Sequence, residues 1–492
     1  MKESFVSIHN LTLKYPKKVV LEDLNWVINS GENWLLSGIS GSGKTTLAKI
    51  ITGKQNAIGN VKINFNKKSQ LPAQVLFVES WYQFKNLEGA ANFYYQQRYT
   101  SNQVKEIITV GAELSAYGNE NRLQVNELNP ILKAFSFLSF SNAQLIELSS
   151  GEHKKLQLIK ALWLKPQLLI IDQPYTGLDY SSRKNLNLLL DNVASKGVHI
   201  ILIGNDTELP TAINRFASLK DGKLMEIDAL PTSFIKPEKP TTEVPDFLKA
   251  RQAYSSRQIV KMVQVNINYG DKQVLKNINW EVNAGERWLL QGHNGCGKST
   301  LLSLINGDHP QSYANELYLF GNRRGSGESI WEIKQHIGLI SPEFHWYFDA
   351  TSTVWESIAS GFFDTVGLFQ QIPYTKGHQI DELIEYFGLT AYKNEQLGTL
   401  PLGKQRLALL ARTIIKNPEL LILDEPCQGL DLQQTVHFNE LVDELCSNGL
   451  TLVYVGHLES QLPSSLTHRL TLSQGEVQTN TKIHVHQKEL AS

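Results

Sequence analysis

Two nine-residue segments hold the residues best suited to chemistry. Gly38-Ile39-Ser40-Gly41-Ser42-Gly43-Lys44-Thr45-Thr46 and Gly292-His293-Asn294-Gly295-Cys296-Gly297-Lys298-Ser299-Thr300 both fit GxxxxGK[ST]. Each follows an apolar run containing Trp-Leu-Leu and opens a stretch with helical spacing. Glycines at these positions let successive backbone N–H groups curl around a β-phosphate, and the helix N-terminus adds positive potential. Lys44 and Lys298 are placed to reach β- and γ-phosphates, while Thr45 and Ser299 offer a hydroxyl to Mg²⁺. The pattern therefore points to binding of a nucleoside triphosphate. The bland alternative, a glycine-rich turn with a chance lysine, would have to occur twice at matching places in the chain.

A metal-bound triphosphate needs a further acid. The apolar runs Leu168–Ile171 and Leu420–Leu423 end in Asp172 and Asp424, where a partner for Mg²⁺ must sit. The alternative is an aspartate that caps the following turn. The next residue is Glu425 in one case and Gln173 in the other. A carboxylate there can orient and polarise an attacking water, whereas an amide is a poor base.

These segments lie on a duplicated scaffold. Val19–Leu47 aligns with Gln273–Leu301 without a gap, so the chain is two homologous halves. The boundaries expected are a first domain at 1–230, a proline-punctuated linker at 231–258, a second domain at 259–480 and a tail at 481–492. A linker of that length reaches roughly 90 Å when extended at about 3.3 Å per residue. In each half, alternating helices and apolar strands predict an α/β core with a parallel sheet. A mostly helical stretch, about 86–147 and 349–398, reads as an inserted subdomain.

Composition excludes several classes. Lys plus Arg is 47 and Asp plus Glu is 48, so the net charge of −1 gives no basic excess to hold nucleic acid. Cys296, Cys427 and Cys446 are too few for a disulfide framework, which suits a reducing compartment. No run approaches the roughly 20 apolar residues of a membrane span. The first residues lack the apolar core of a secretory signal. A cytoplasmic protein is expected, peripheral to the inner face of the cell membrane if another subunit supplies the membrane part.

Between loop and strand lie LSSGEHKKL (Leu148–Leu156) and LPLGKQRLALL (Leu400–Leu410). They resemble the LSGGQ signature of ATP-binding cassette (ABC) ATPases. Phosphate loop, signature, strand-end aspartate and GLD turn follow in that order in both halves, with the family's Asp-Glu pair kept in the second and Asp-Gln in the first. The resemblance implies two P-loop ATPase domains, each with a parallel-sheet core, an antiparallel β subdomain and a helical subdomain, paired head to tail within the chain. It implies ATP and Mg²⁺ as ligands, and it places Tyr15 and Tyr269 where the family stacks an aromatic on adenine.

The same resemblance makes the halves unequal. Each ATP of the family lies between the phosphate loop of one cassette and the signature of the other. Ser149 and Gly151 stand in the first signature; the second has Pro401 with Gly403. A histidine that bonds the γ-phosphate is His457 in the second half, replaced by Asn205 in the first. One composite site then has Lys298, Asp424, Glu425 and His457, completed by Ser149 and Gly151. The other collects Gln173, Asn205 and Pro401. The expectation is one hydrolytic site and one that binds ATP and turns over slowly, with Glu425, His457, Lys298 and Ser149 catalytic.

Ser80 and Pro342 stand where the family has a glutamine that senses Mg²⁺ and touches the membrane subunit, with Gln83 nearby in the first half. Gly307–Gly338 resembles the soluble tandem-cassette ATP-binding proteins associated with molybdenum transport. The expected role is the ATP-binding component or regulator of a membrane transporter of molybdate type, with integral permease subunits as partners. The alternatives are an ABC-F-like ATPase acting on the ribosome or another macromolecule, and a nucleotide-sensing scaffold. Residues 231–258, with five basic and three acidic side chains, lack the strongly charged linker of ABC-F proteins. Arg323–Glu328 reads as a solvated turn joining a strand to a helix, with a partner-binding loop as the alternative. Cys296 is a small loop residue whose thiol the helix N-terminus would activate, and Cys427 fills a turn. His484 and His486 read as tail, and Trp81-Tyr82 and Phe93–Tyr95 as packed helical subdomain.

Overall fold

The computed structural model describes residues 4–15, 18–67, 69, 71–72, 74–79, 108–145, 148, 150–206, 208–229, 243–249, 255–270, 272–456 and 462–483. Ser80, Gln83, Ser149 and His457 lie outside them, as do Trp81-Tyr82, Phe93–Tyr95, His484 and His486. The chain forms two compact units, one built mainly from residues 1–234 and the other from 235–492.

The first unit opens with β1 (Ser4–Tyr15), β2 (Lys18–Asn29) and β3 (Trp34–Ser37), followed by α1 (Lys44–Ile51). Then come β4 (Ile58–Ile63), β5 (Val75–Val78), α2 (Val110–Glu120), α3 (Val125–Ala134) and α4 (Ser150–Leu164). It closes with β6 (Leu168–Asp172), α5 (Tyr180–Ser195), β7 (His199–Ile203), β8 (Arg215–Lys220) and β9 (Lys223–Ile227). Two sheets result: an antiparallel one in the order β2-β1-β4, and a six-stranded one in the order β5-β6-β7-β3-β8-β9. The latter is parallel except for the β8–β9 hairpin.

All five residues of β6 are buried, as expected of a strand covered on both faces of a parallel sheet. Leu168 and Ile170 face a core shared with α1 and the antiparallel sheet. Leu169 and Ile171 face the opposite core, with α4, α5 and the helical subdomain. The phosphate-loop helix is thus held between two sheets, which fixes the direction of its N-terminus.

The second unit begins with a short α6 (Asp246–Lys249), then β10 (Gln258–Tyr269), β11 (Lys272–Asn283), β12 (Arg287–Gln291) and α7 (Lys298–Ile305). Next are β13 (Glu316–Leu319), β14 (Asn322–Arg323), α8 (Ile330–Gln335), β15 (Ile337–Ile340) and α9 (Pro342–Tyr347). The helical subdomain includes α10 (Val354–Ala359) and α11 (Tyr374–Tyr386), and leads into α12 (Leu402–Ile414). The unit ends with β16 (Leu420–Asp424), α13 (Leu432–Ser447), β17 (Thr451–Val455), β18 (His468–Ser473) and β19 (Glu476–Lys482). Its sheets run β11-β10-β13-β14 and β15-β16-β17-β12-β18-β19, repeating the first unit's order with one added edge strand.

Residues 243–249 fall within the proline-rich stretch read as linker. Here Val244 and Leu248 are buried in the second unit's core beside Leu383 and Leu441. Asn417 Nδ2 donates to the Phe247 carbonyl at 3.1 Å and tightens the same contact. The apolar Val-Pro-Asp-Phe-Leu run explains why it docks: burying its branched side chains outweighs the freedom lost by a short segment.

Candidate functional site

Both phosphate loops leave the central strand of a sheet and enter a helix. Gly38 has φ 137°, and a side chain there would place its Cβ 2.3 Å from the Leu219 carbonyl oxygen. The matching approach of Gly292 to the Leu472 carbonyl oxygen is 2.4 Å. Only glycine lets the loop run this close to the neighbouring strand, so its amides turn inward.

Lys44 Nζ donates to the carbonyls of Gly38 at 2.7 Å and Ile39 at 2.8 Å. Lys298 Nζ likewise donates to Gly292 at 2.7 Å and His293 at 3.1 Å. Each ammonium spans its own loop, the place phosphate oxygens take when a triphosphate enters. Thr45 Oγ1 donates to Asp172 Oδ2 at 2.6 Å, so the hydroxyl and carboxylate of the first site are adjacent. Two hard oxygen donors side by side suit Mg²⁺. Burial raises the Asp172 carboxyl above its usual range, against the pull of Thr45, Lys154 and Lys44. In the second unit Asp424 likewise ends its strand, while Ser299 is exposed at the start of α7.

Lys154 of α4 escaped the sequence reading. Its Nζ donates to the carbonyls of Glu79 at 2.9 Å and Asp172 at 3.0 Å, joining the ends of β5 and β6. Burial pushes its pKa down to about 7. A lysine between His153 and Lys155 gave no signal in sequence, because its partners are backbone carbonyls far along the chain.

Gln173 and Glu425 occupy the same backbone position. Both follow the last strand residue with left-handed φ, 50° and 44°. Gln173 N donates to the Ile203 carbonyl at 2.8 Å and Glu425 N to that of Val455 at 3.2 Å. A non-glycine residue with positive φ is uncommon. Finding it at both positions marks an equivalent turn that sets the direction of the Gln173 and Glu425 side chains. Glu425 Oε2 accepts from Gln428 Nε2 at 3.2 Å.

Asn205 clasps the first phosphate loop: its Oδ1 accepts from Gly38 N at 3.1 Å and its Nδ2 donates to Gly38 O at 3.2 Å. Of the signatures, Gly151 is buried in α4. Pro401 sits at the N-cap of α12 with no side-chain cap bond. Gly403 is buried, and a Cβ there would meet the Gln434 side chain at 2.7 Å.

Tyr15 and Tyr269 end β1 and β10 and are 51% and 42% exposed, leaving ring surface to stack on a base. Cys296 departs from the activated thiol expected at a helix N-terminus. It is 1% exposed, lies 2.5 Å from where a Cβ on Gly292 would stand, and burial pushes its pKa up despite nearby Lys298. Here desolvation outweighs the helix field. Cys427 accepts from the Tyr454 hydroxyl at 3.5 Å, its pKa pushed up to about 12 by burial. Within the Arg323–Glu328 turn Arg324 pairs with Glu328, and it also donates to the Tyr313 hydroxyl outside the turn at 3.1 Å.

The family model described as "ABC transporter" matches residues 21–176 and 275–428. The chain is 33% identical over 461 residues to the ABC transporter ATP-binding protein ModF of Escherichia coli (strain K12), covering 90% of this chain and 91% of that one. It is 29% identical to an uncharacterised ABC transporter ATP-binding protein of Schizosaccharomyces pombe, over 96% and 99% of the two chains. Among solved structures it resembles the archaeal ribosome recycling factor aABCE1, in complex with the stalk protein aP1. That likeness has a TM-score of 0.54 at 16% identity, covers 96% and 90% of the chains, and is one of fold.

Proposed function

Because this chain belongs to the ABC transporter family, we propose that its two cassettes close head to tail and hydrolyse ATP mainly at one composite site. It is a tandem-cassette ABC ATPase; the division of labour is the further reading. The observation that carries it is the pair Glu425 and Gln173, set on the same left-handed turn at the end of equivalent strands. One position offers a carboxylate to the attacking water and the other an amide. Asn205, bonded back to Gly38, adds to the case for a first site that binds ATP and turns it over slowly.

In the hydrolytic site Lys298 and the loop amides hold the β- and γ-phosphates, and Glu425 takes the proton of the water. Ser299 and Asp424 would hold Mg²⁺, which neutralises charge on the phosphates, as Thr45 and Asp172 would in the first site. His457 of the second half, with Ser149 and Gly151 contributed by the first signature, completes the γ-phosphate shell; Gly403 serves the slower site. Exchanging Glu425→Gln lowers steady-state ATPase by about 10²–10⁴-fold and leaves ATP binding intact. Gln173→Ala changes turnover several-fold at most. A Glu425→Gln protein that keeps most of its turnover would sink the one-site reading.

The finer assignment is the ATP-binding component or regulator of a membrane transporter of molybdate type. Its support is the similarity to ModF along nearly the whole chain. One observation favours a soluble mechanical role instead. Where the family has a glutamine that contacts the membrane subunit, Ser341 and Pro342 start α9. His345 of α9 then bonds Gln405 of α12 at 2.7 Å. Affinity capture of the Glu425→Gln protein with ATP separates the readings: an integral permease supports the first, ribosomal proteins the second.

A further inference from the structure

Tyr269 has a partner that, among the described residues, its counterpart Tyr15 lacks. Its hydroxyl lies 2.8 Å from His309 Nε2, with ring centroids 5.7 Å apart. His309 is 1% exposed and sits where α7 turns toward β13. Its other nitrogen, Nδ1, accepts from the Gln311 backbone N–H at 3.2 Å. In a neutral imidazole only one nitrogen carries hydrogen, so that acceptor role assigns the proton to Nε2, which donates to the Tyr269 oxygen. Burial pushes the His309 pKa down to about 4, which keeps the ring neutral and this tautomer fixed at physiological pH. The bond therefore ties the end of β10 to the segment that follows the phosphate-loop helix. In the first half Gln55 holds the place of His309; its Nε2 donates to the Asn56 carbonyl at 3.4 Å.

We infer that His309 is a positioning residue that holds the Tyr269 ring ready to receive the adenine at the second cassette's phosphate loop. This rests on the reading of Tyr269 as the base platform. A ring held before binding loses less freedom on binding, so the second site grips the base more tightly than the first. The effect reaches the base alone, since Lys298 and the loop amides hold the phosphates on separate contacts.

The test uses the full chain in a Lys44→Ala background, which removes the first site's phosphate contact. Calorimetry then measures Mg-ATP and Mg-tripolyphosphate affinity for Tyr269→Ala, Tyr269→Phe and His309→Asn. Asparagine can still accept from the Gln311 N–H, as it does at helix starts, and is too short to reach Tyr269. His309→Asn and Tyr269→Phe are each expected to weaken ATP about three- to tenfold, and the double variant no further. Tripolyphosphate affinity should stay within about twofold. If Tyr269→Ala weakens ATP while His309→Asn leaves it unchanged, the positioning role is overturned and the platform stands. If Tyr269→Ala leaves ATP unchanged, the platform itself falls. Equal weakening of both ligands by His309→Asn would show damage to the phosphate loop and overturn the inference.

Discussion

At the scale of single residues, the buried Lys154 ammonium makes stability depend on pH in a defined sense. Its pKa falls from 10.5 to about 7 on folding, so between those values the unfolded chain binds the extra proton. Stability then rises with pH across that window, and the cost of burying the charge is fully present below about pH 7. Lys154→Met removes this contribution. Its deficit in melting temperature relative to the parent should widen from pH 7 to pH 9; a constant deficit would contradict it. The loops, the strand-end acids and the Gln173/Glu425 contrast were legible in the residues, because their positions are written in local spacing. Lys154 and His309 were not, because their partners are brought together only by the fold. Spacing misjudged Cys296, since a helix N-terminus is visible in it and desolvation is not.

At the scale of elements, the α12 side of the second unit is built around Arg412. Its Nε donates to Ser360 Oγ at 3.1 Å, its Nη2 to the Thr365 carbonyl at 3.0 Å, and its guanidinium lies over the rings of Phe344 and Phe348. One side chain thereby joins α9, the turn after α10 and the helix that follows the second signature. The turn comes so close that a Cβ on Gly361 would stand 2.0 Å from the Arg412 carbonyl oxygen. Gly361→Ala must push that turn off α12, at a cost of about 1–3 kcal/mol. Thermal unfolding should register it as a lowered transition, and an unchanged melting temperature would refute the close fit. Strand periodicity announced the parallel sheets well. The α9 helix was not legible, because Pro342 reads equally as a helix start or a loop breaker.

For the whole molecule, the docked segment at 243–249 belongs energetically to the second unit. Leu248 is 2% exposed in that unit's core, so Leu248→Ala should cost about 2–5 kcal/mol. Calorimetry of the full chain should show the second unit's transition lowered and the first unit's unmoved. An equal shift in both would mean the segment stabilises the two alike. Internal duplication was plain in the sequence. The docking of part of the proline-rich stretch was hidden, because prolines and charges dominate its composition while two apolar side chains decide its fate.

That docking also sets the length of the tether. With the chain anchored from residue 243, the proline-rich stretch that starts at 231 keeps only residues 231–242 ahead of the anchor, a contour of roughly 40 Å at about 3.3 Å per residue. The full proline-rich stretch would allow about twice that. Because the effective concentration of linked partners falls roughly as the −3/2 power of tether length, the anchor raises the local concentration of one cassette around the other by about threefold. A few buried carbons at Val244 and Leu248 thus act on the probability of encounter, without touching nucleotide at all.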